Sequence, residues 1–427
     1  MSSAFIRDKL GEAAAFTAIT DPKFKHNRLS VHLTVPLDRT TVTPYAIVPF
    51  ILRRGFEGCE THTELARRLG MLYGAWVDAG VSKHGCSQVI TLSIQALDDR
   101  YALGGEKMVA ACAELLRDML LKPNMDASGF DADVTALEKD NLRDNIMAEI
   151  NDKRSYAITR CHAIMDADSP ASVNKLGYAE DVRAITPLSA AEAYRRLINT
   201  AHVEVMFIGS GDAAPAKTCF ASAFAARDRK PHAYLPPEYR RSAQVVSETT
   251  EQMEVAQAKL VMGFRAGVER NGDHAPTRMM TALWGGTPSS LLFTNVREKM
   301  SLCYYCAARF DKTTGIVMLE SGVASDKAEQ AHGAMLDQLT SLAKGDFTDE
   351  LYDNTLRMMQ NSLRTVGDTL GGLESWYLGQ ILTGKQLAPE EDYENLARVT
   401  RQQVIEAAKA VTLDTVYLLK EKEGAHL

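Results

Sequence analysis

At 427 residues the chain exceeds one ordinary hydrophobic core, and its length predicts two to four domains. Hydrophobic residues at 45% and charged residues at 24% are globular values that exclude a wholly disordered protein. A net charge of -7, with an isoelectric point near 5.9, supplies no long-range attraction for phosphate backbones or anionic lipid, so neither nucleic acid nor a membrane is expected as the main partner.

In chain order, the opening MSSAFIRDKLGEAAAF lacks a basic stretch followed by an apolar core and a small-residue cleavage site, so a secretory route is not expected. Residues 45–52 form a strongly apolar run, but Pro49 lies within it and Arg53 and Arg54 close it. That is well short of the roughly 18 apolar residues that span a bilayer. Residues 89–96 (VITLSIQA) alternate as a half-buried strand does, and Asp98 and Asp99 turn the chain. From 101 to 121 apolar residues recur at helical spacing, through Met108, Ala111, Leu115, Leu116, Met119 and Leu120, until Pro123 ends the helix. A second helix is expected over 128–150, with Val134, Leu137, Leu142 and Ile146 on its apolar side.

The same order of signals returns about two hundred residues later. Residues 315–324 (GIVMLESGVA) read as a strand, Ser325 and Asp326 as a turn, and Ala331, Met335, Leu336, Leu339 and Leu342 as one helix face that Gly345 caps. Thr348 then caps a helix whose first turn is acidic. Ile185-Thr186-Pro187, an alanine-rich helix and a strand over 203–208 likewise parallel Val399-Thr400-Arg401, a helix and a strand over 415–419. One module is therefore duplicated. The two copies are placed at 1–225 and 243–427, and 226–242, with its charges and three prolines, is read as an extended linker. Strands interrupted by paired helices predict an α+β fold: in each domain, a mostly antiparallel sheet covered by helices on one face.

The cysteines at 59, 86, 112, 161, 219, 303 and 306 are scattered and odd in number, which suits the reduced thiols of a cytoplasmic protein. Cys303-Tyr304-Tyr305-Cys306 has no second CxxC to complete a zinc knuckle, and its aromatic neighbours and Leu302 predict a strand with buried thiols. No two histidines lie three or four apart. His62-Thr63-Glu64 and Cys161-His162 come nearest to clusters, and both are expected to be ordinary solvated or core side chains. No glycine-rich phosphate-binding pattern occurs.

Residues 289–304 (SSLLFTNVREKMSLCY) resemble the second-domain signature of the pitrilysin/insulinase metallopeptidases, in which a serine pair, a short helix, Arg-Glu-Lys and a tyrosine recur. Residues 118–123 (DMLLKP) resemble that family's first-domain helix end, and 208–212 (IGSGD) the strand end that closes each domain. With the duplication, the resemblance covers nearly the whole chain. It implies two homologous domains forming half of a peptide-enclosing chamber. Active members carry HxxEH, whose histidines hold zinc while the glutamate serves as general base, with a later glutamate as third ligand. The matching stretch here is 46–50 (AIVPF), so Ala46 and Phe50 stand at the histidine positions and Pro49 at the base. Glu149 is the position set against the third ligand, at a longer interval than in the active family, and its other reading is an ordinary polar helix residue. The resemblance therefore implies no catalytic residue, no metal and no cofactor in this chain. Phe50 and Ile51 are expected to pack into the core that a hydrated metal would otherwise occupy.

Arg297 and Tyr304 have the spacing of the family's pair that binds substrate and stabilises the oxyanion formed beside zinc. The resemblance thus implies a non-catalytic subunit of a heteromeric peptidase, with a zinc-bearing HxxEH homologue as partner and a peptide as substrate. A homodimer is a second form open to the chain in isolation. The alternative is a peptide-binding or scaffold protein without proteolysis, beside a modification or processing system. An HxxEH-encoding neighbouring reading frame would favour the first reading, and its absence the second.

Overall fold

A computed structural model of the chain describes residues 4–225, 227–233 and 239–422. Its contacts gather into two compact units. The first comprises Met1–Met147, Val173–Pro236 and Asp368–Leu382, and the second Ala148–Ser172, Pro237–Gly367 and Thr383–Leu427. The contiguous division at 226–242 puts 148–172 and 368–382 on the other side from where their contacts lie.

The first half of the sequence runs β1 (Ala4–Gly11), β2 (Ala14–Thr20), β3 (His26–Pro36), α1 (Val42–Leu52), α2 (His62–Met71), β4 (Trp76–His84) and β5 (Ser87–Leu97). It continues with α3 (Met108–Leu121), the short β6 (Met125–Asp126) and β7 (Gly129–Phe130), α4 (Ala132–Asn151), α5 (Lys153–Met165), α6 (Ala179–Val182), α7 (Pro187–Thr200), β8 (His202–Gly209) and α8 (Ala214–Ala225). The second half runs β9 (Ser247–Met253), β10 (Ala258–Arg265), α9 (Ala275–Thr281), the π-helical segments Ala282–Gly286 and Leu292–Lys299, β11 (Cys303–Asp311) and β12 (Ile316–Val323). It ends with α10 (Ala328–Lys344), α11 (Asp349–Val366), α12 (Leu370–Leu382), α13 (Pro389–Ala397), α14 (Arg401–Ala410) and β13 (Thr412–Glu421).

The duplication extends to strand order. The first sheet is β1-β2-β8-β3-β5-β4 and the second β9-β13-β10-β12-β11, so the second repeats the first from β2 onward. Each has one parallel pair, β2 with β8 and β9 with β13, and every other pairing is antiparallel. The α+β fold with two mostly antiparallel sheets is as the sequence predicts.

The sheets are covered differently from expectation. On β3, Leu29, Val31, Leu33 and Val35 face the main core with α1, α3 and α7, as period-two alternation requires. The opposite face is not bare. There α12, from the far end of the sequence, packs Leu370, Leu373, Tyr377 and Leu378 on Ile19, Val89, Met206 and Ile208. In the second unit α5 plays the same part, with Ala157, Cys161 and Met165 on Val261, Met318, Tyr417 and Leu419. One-face coverage is thus corrected. Each covering helix is distant in sequence from the sheet it serves, so nothing local to the strands announces it. Burial on both faces also explains why β8 (HVEVMFIG) reads as a nearly continuous apolar run.

Polar contacts anchor both helices. Glu374 on α12 accepts from Arg28 Nε at 2.7 Å and from Ser30, and its Oε1 lies 3.3 Å from His32 Nε2. In the second unit Arg154 on α5 grips Glu320 through bonds of 2.5 and 2.8 Å, and buried Arg265 bridges Asp166 and Asp414.

Several local expectations need adjustment. The helix expected over 101–121 starts only at Met108, because Gly104 and Gly105, the latter at φ +75°, break it. The helix expected from 128 starts at Ala132, after the β6–β7 hairpin, and Leu137 is exposed. Gly345 caps α10 at φ +82°, and the Thr348 hydroxyl accepts from Leu351 N, as read from sequence. Of the linker, 226 and 234–238 lie outside the described residues. Arg229 is buried and donates to the carbonyls of Ile198, Glu12 and Ala201, so that stretch is strapped to the first unit rather than extended into solvent. Among the described residues, no helix is long and apolar enough to cross a membrane.

Candidate functional site

The α1 sequence VTPYAIVPFIL contains no ionisable carboxylate, imidazole or thiol, and nine of its residues are buried. Ala46 is fully buried and Pro49 is buried beside it. Neither can coordinate zinc or activate water, and Pro49 also lacks the N–H of a normal helical residue. Among the described residues, no group of three or more His, Cys, Asp or Glu could hold a metal ion. The residues present do not fit zinc.

Phe50 departs from expectation. It is half-buried at the rim of the core, with the Arg53 guanidinium 5.4 Å from its ring centroid, whereas Ile51 is packed inside. The helix turns Phe50 away from the sheet, so the core is filled by Ala46, Ile47 and Ile51 instead. Glu149 is half-buried near the end of α4 and groups with the second unit. The α4 carboxylate that serves α1 is Glu138, missed in the sequence: it is 1% exposed, bonds Arg54 Nε at 2.5 Å and accepts from Asn141 at 3.1 Å. Its only sequence signal was a carboxylate on the apolar side of a helix. Glu64 completes a capping box with Thr61, and Cys161 is a core thiol pushed by burial up to about 12. Neither belongs to a metal centre.

Arg297 and Tyr304 are brought together in the second unit. The π-helical turn, with Met300 N bonded to Asn295 O at 3.0 Å, carries Arg297, whose guanidinium lies 4.5 Å from the Phe293 ring centroid. Ser301, at φ +52°, turns the chain into β11. A bulge then falls at Tyr304: Cys303 pairs with Val323 and Tyr305 with Gly322, leaving Tyr304 without a partner residue. Its side chain is 67% exposed and does not fill a core edge. Arg297 and Tyr304 line one open cavity of about 550 Å³, with Lys327 and Cys303 also on its walls. Arg297 has no carboxylate partner among the described residues, so its donors remain available to a ligand carbonyl or carboxylate. π-helical turns and bulges are both devices that re-aim side chains at functional positions.

The CxxC thiols are placed by the same bulge. Cys303 is buried, and Cys306 is half-buried rather than buried as expected. In a regular strand residues three apart face opposite sides. The extra residue at 304 cancels that alternation, and both thiols come to one face, beside Ser321.

Fold and site together define a two-module α+β protein with Arg297 and Tyr304 on one open cavity and a buried α1 that carries no zinc ligand. The family described as peptidase M16 inactive domain matches residues 184–359. A Bacillus subtilis (strain 168) protein described as probable inactive metalloprotease YmfF is 28% identical over 421 residues, 98% of each chain. A conserved protein from Enterococcus faecalis V583 superposes with a TM-score of 0.90 at 24% identity, covering 99% of this chain and 100% of that one. A peptidase M16 inactive domain from Pseudomonas fluorescens gives 0.77 at 17% identity over 100% of both. Over residues 184–359 the chain is thus similar in sequence to the peptidase M16 inactive domain, and over its whole length it shares the fold of a structure described in the same words.

Proposed function

We propose that this chain is the non-catalytic subunit of a heteromeric zinc peptidase of the cytoplasm, holding a peptide while an HxxEH-bearing homologue attacks it. The observation that carries the reading is the convergence of exposed Tyr304 and the uncommitted Arg297 guanidinium on one open cavity. A guanidinium offers forked donors to a carbonyl or carboxylate, and a phenol offers one donor that follows charge as it develops. Tyr304 also lies on β11, an edge strand of the second sheet, and edge strands are where an extended peptide can add to a sheet. Both features suit a surface that receives a flexible chain.

The test mixes Tyr304→Phe and Arg297→Ala variants with the zinc-bearing homologue, checks assembly by sizing, and measures cleavage of a flexible peptide. Each variant is expected to assemble and to lose roughly 100-fold to 1000-fold in turnover. Full activity from an assembled complex carrying both substitutions refutes the role. Peptide binding by the chain alone, or as a homodimer, with no effect on any homologue's cleavage, supports the scaffold alternative.

A further inference from the structure

The cavity beside Tyr304 holds a feature the peptidase reading does not use. Cys303 is one of its walls, with Arg297 and Glu298 from the π-helical segment and Lys327 from just beyond β12. Two cations and one carboxylate thus line a space of about 550 Å³, large enough for a peptide-sized thiol compound. Cys306 sits on the same face of β11 as Cys303, because the bulge at 304 brings both thiols to one side. Cys303 and Cys306 are therefore neighbouring thiols on one face of β11, with Cys303 on the wall of an open cavity that Arg297 and Lys327 also line.

We propose that Cys303 is a site of reversible thiolation by a low-molecular-weight disulfide carrying carboxylates, which Arg297 and Lys327 attract into the cavity. In the step, the Cys303 thiolate attacks one sulfur of the disulfide, a new S–S bond forms, and the old one breaks. The second half of the reagent leaves as a thiolate and takes a proton from solvent, so no further oxidant is needed. A free thiol of the same class reverses the reaction. The adduct would occupy the space into which Arg297 and Tyr304 face.

The local chemistry supports Cys303 over the other cysteines. The neighbouring Cys306 thiol, with help from Ser321 and the Arg297 charge, holds the Cys303 thiol below the ordinary thiol range against the opposing effect of burial. Cys306 is moved in the opposite direction by the same contact. Burial raises the thiols of Cys59, Cys112, Cys161 and Cys219. A thiolate near neutrality is the attacking species in exchange, and its access here comes through the cavity.

The experiment incubates the full chain with oxidised glutathione across a pH series and follows it by intact mass and peptide mapping. One glutathionyl group on Cys303 is expected, absent from Cys303→Ser and removed by reduced glutathione, with a pH midpoint below that of an ordinary thiol. Cys306→Ala should still be modified at Cys303, but its pH midpoint should rise toward the ordinary thiol value of about 8.5. Arg297→Gln should slow reaction with glutathione disulfide about fivefold while leaving the neutral bis(2-hydroxyethyl) disulfide less affected. First modification at Cys219 or Cys306 overturns the proposal. So does a native chain that stays unlabelled while the denaturant-unfolded chain reacts. Equal slowing with charged and neutral reagents removes the anion-recognition part, and an unmoved pH midpoint in Cys306→Ala removes the thiol pair.

Discussion

Glu374 ties α12 to the first sheet, and substituting it with glutamine tests how that tie works. Burial alone would raise this carboxyl, but the contacts with His32, Arg28 and Ser30 outweigh burial and hold it at about 2. An unfolded chain would titrate it near 4.5. The unfolded state therefore binds the proton more readily, so the contribution is present above about pH 4.5 and is lost as pH falls through about 2. The gap corresponds to about 3 kcal/mol. Glu374→Gln keeps the shape and an acceptor for Ser30 but loses the charge, so it should lower stability by about that amount at neutral pH. The difference from wild type should then shrink between about pH 4.5 and pH 2 as the native carboxylate is itself protonated. Urea denaturation followed by tryptophan fluorescence is suitable, because Trp76 and Trp376 belong to the first unit while Trp284 is buried in the second. Comparing variant with wild type at each pH cancels the other acidic groups that titrate in the same range. A stability difference that is constant across that range would show that shape, rather than charge, holds α12.

Phe50→Ala should cost only about 1 to 2 kcal/mol, since the ring is half-buried, whereas Ile51→Ala should cost about 2 to 5 kcal/mol; equal shifts in the urea midpoint would place Phe50 in the core after all. The purified chain should retain no stoichiometric zinc and cleave no peptide, because Ala46, Pro49 and Phe50 supply neither ligand nor base. Elemental analysis at about one zinc per chain together with chelator-sensitive cleavage would refute that expectation.

Signals confined to one turn or one strand were legible in the sequence. Thr348 and Gly345 mark helix ends through bonds made within a few residues, and the loss of zinc ligands at Ala46, Pro49 and Phe50 is a matter of side-chain chemistry alone. The duplication was legible too, because each copy repeats the same order of local signals, and the strand orders of the two sheets repeat it in three dimensions. What required the tertiary structure were pairings between distant segments. Nothing local to residues 153–165 or 370–382 says which sheet those helices will cover; that choice depends on apolar faces of β8, β10 and β13 assembled from both ends of the chain. The bulge at Tyr304 is likewise a property of the β11–β12 register rather than of CYYC itself. One added residue exposes the tyrosine and turns two cysteines to the same side, an outcome that strict period-two alternation, read along a single strand, cannot contain.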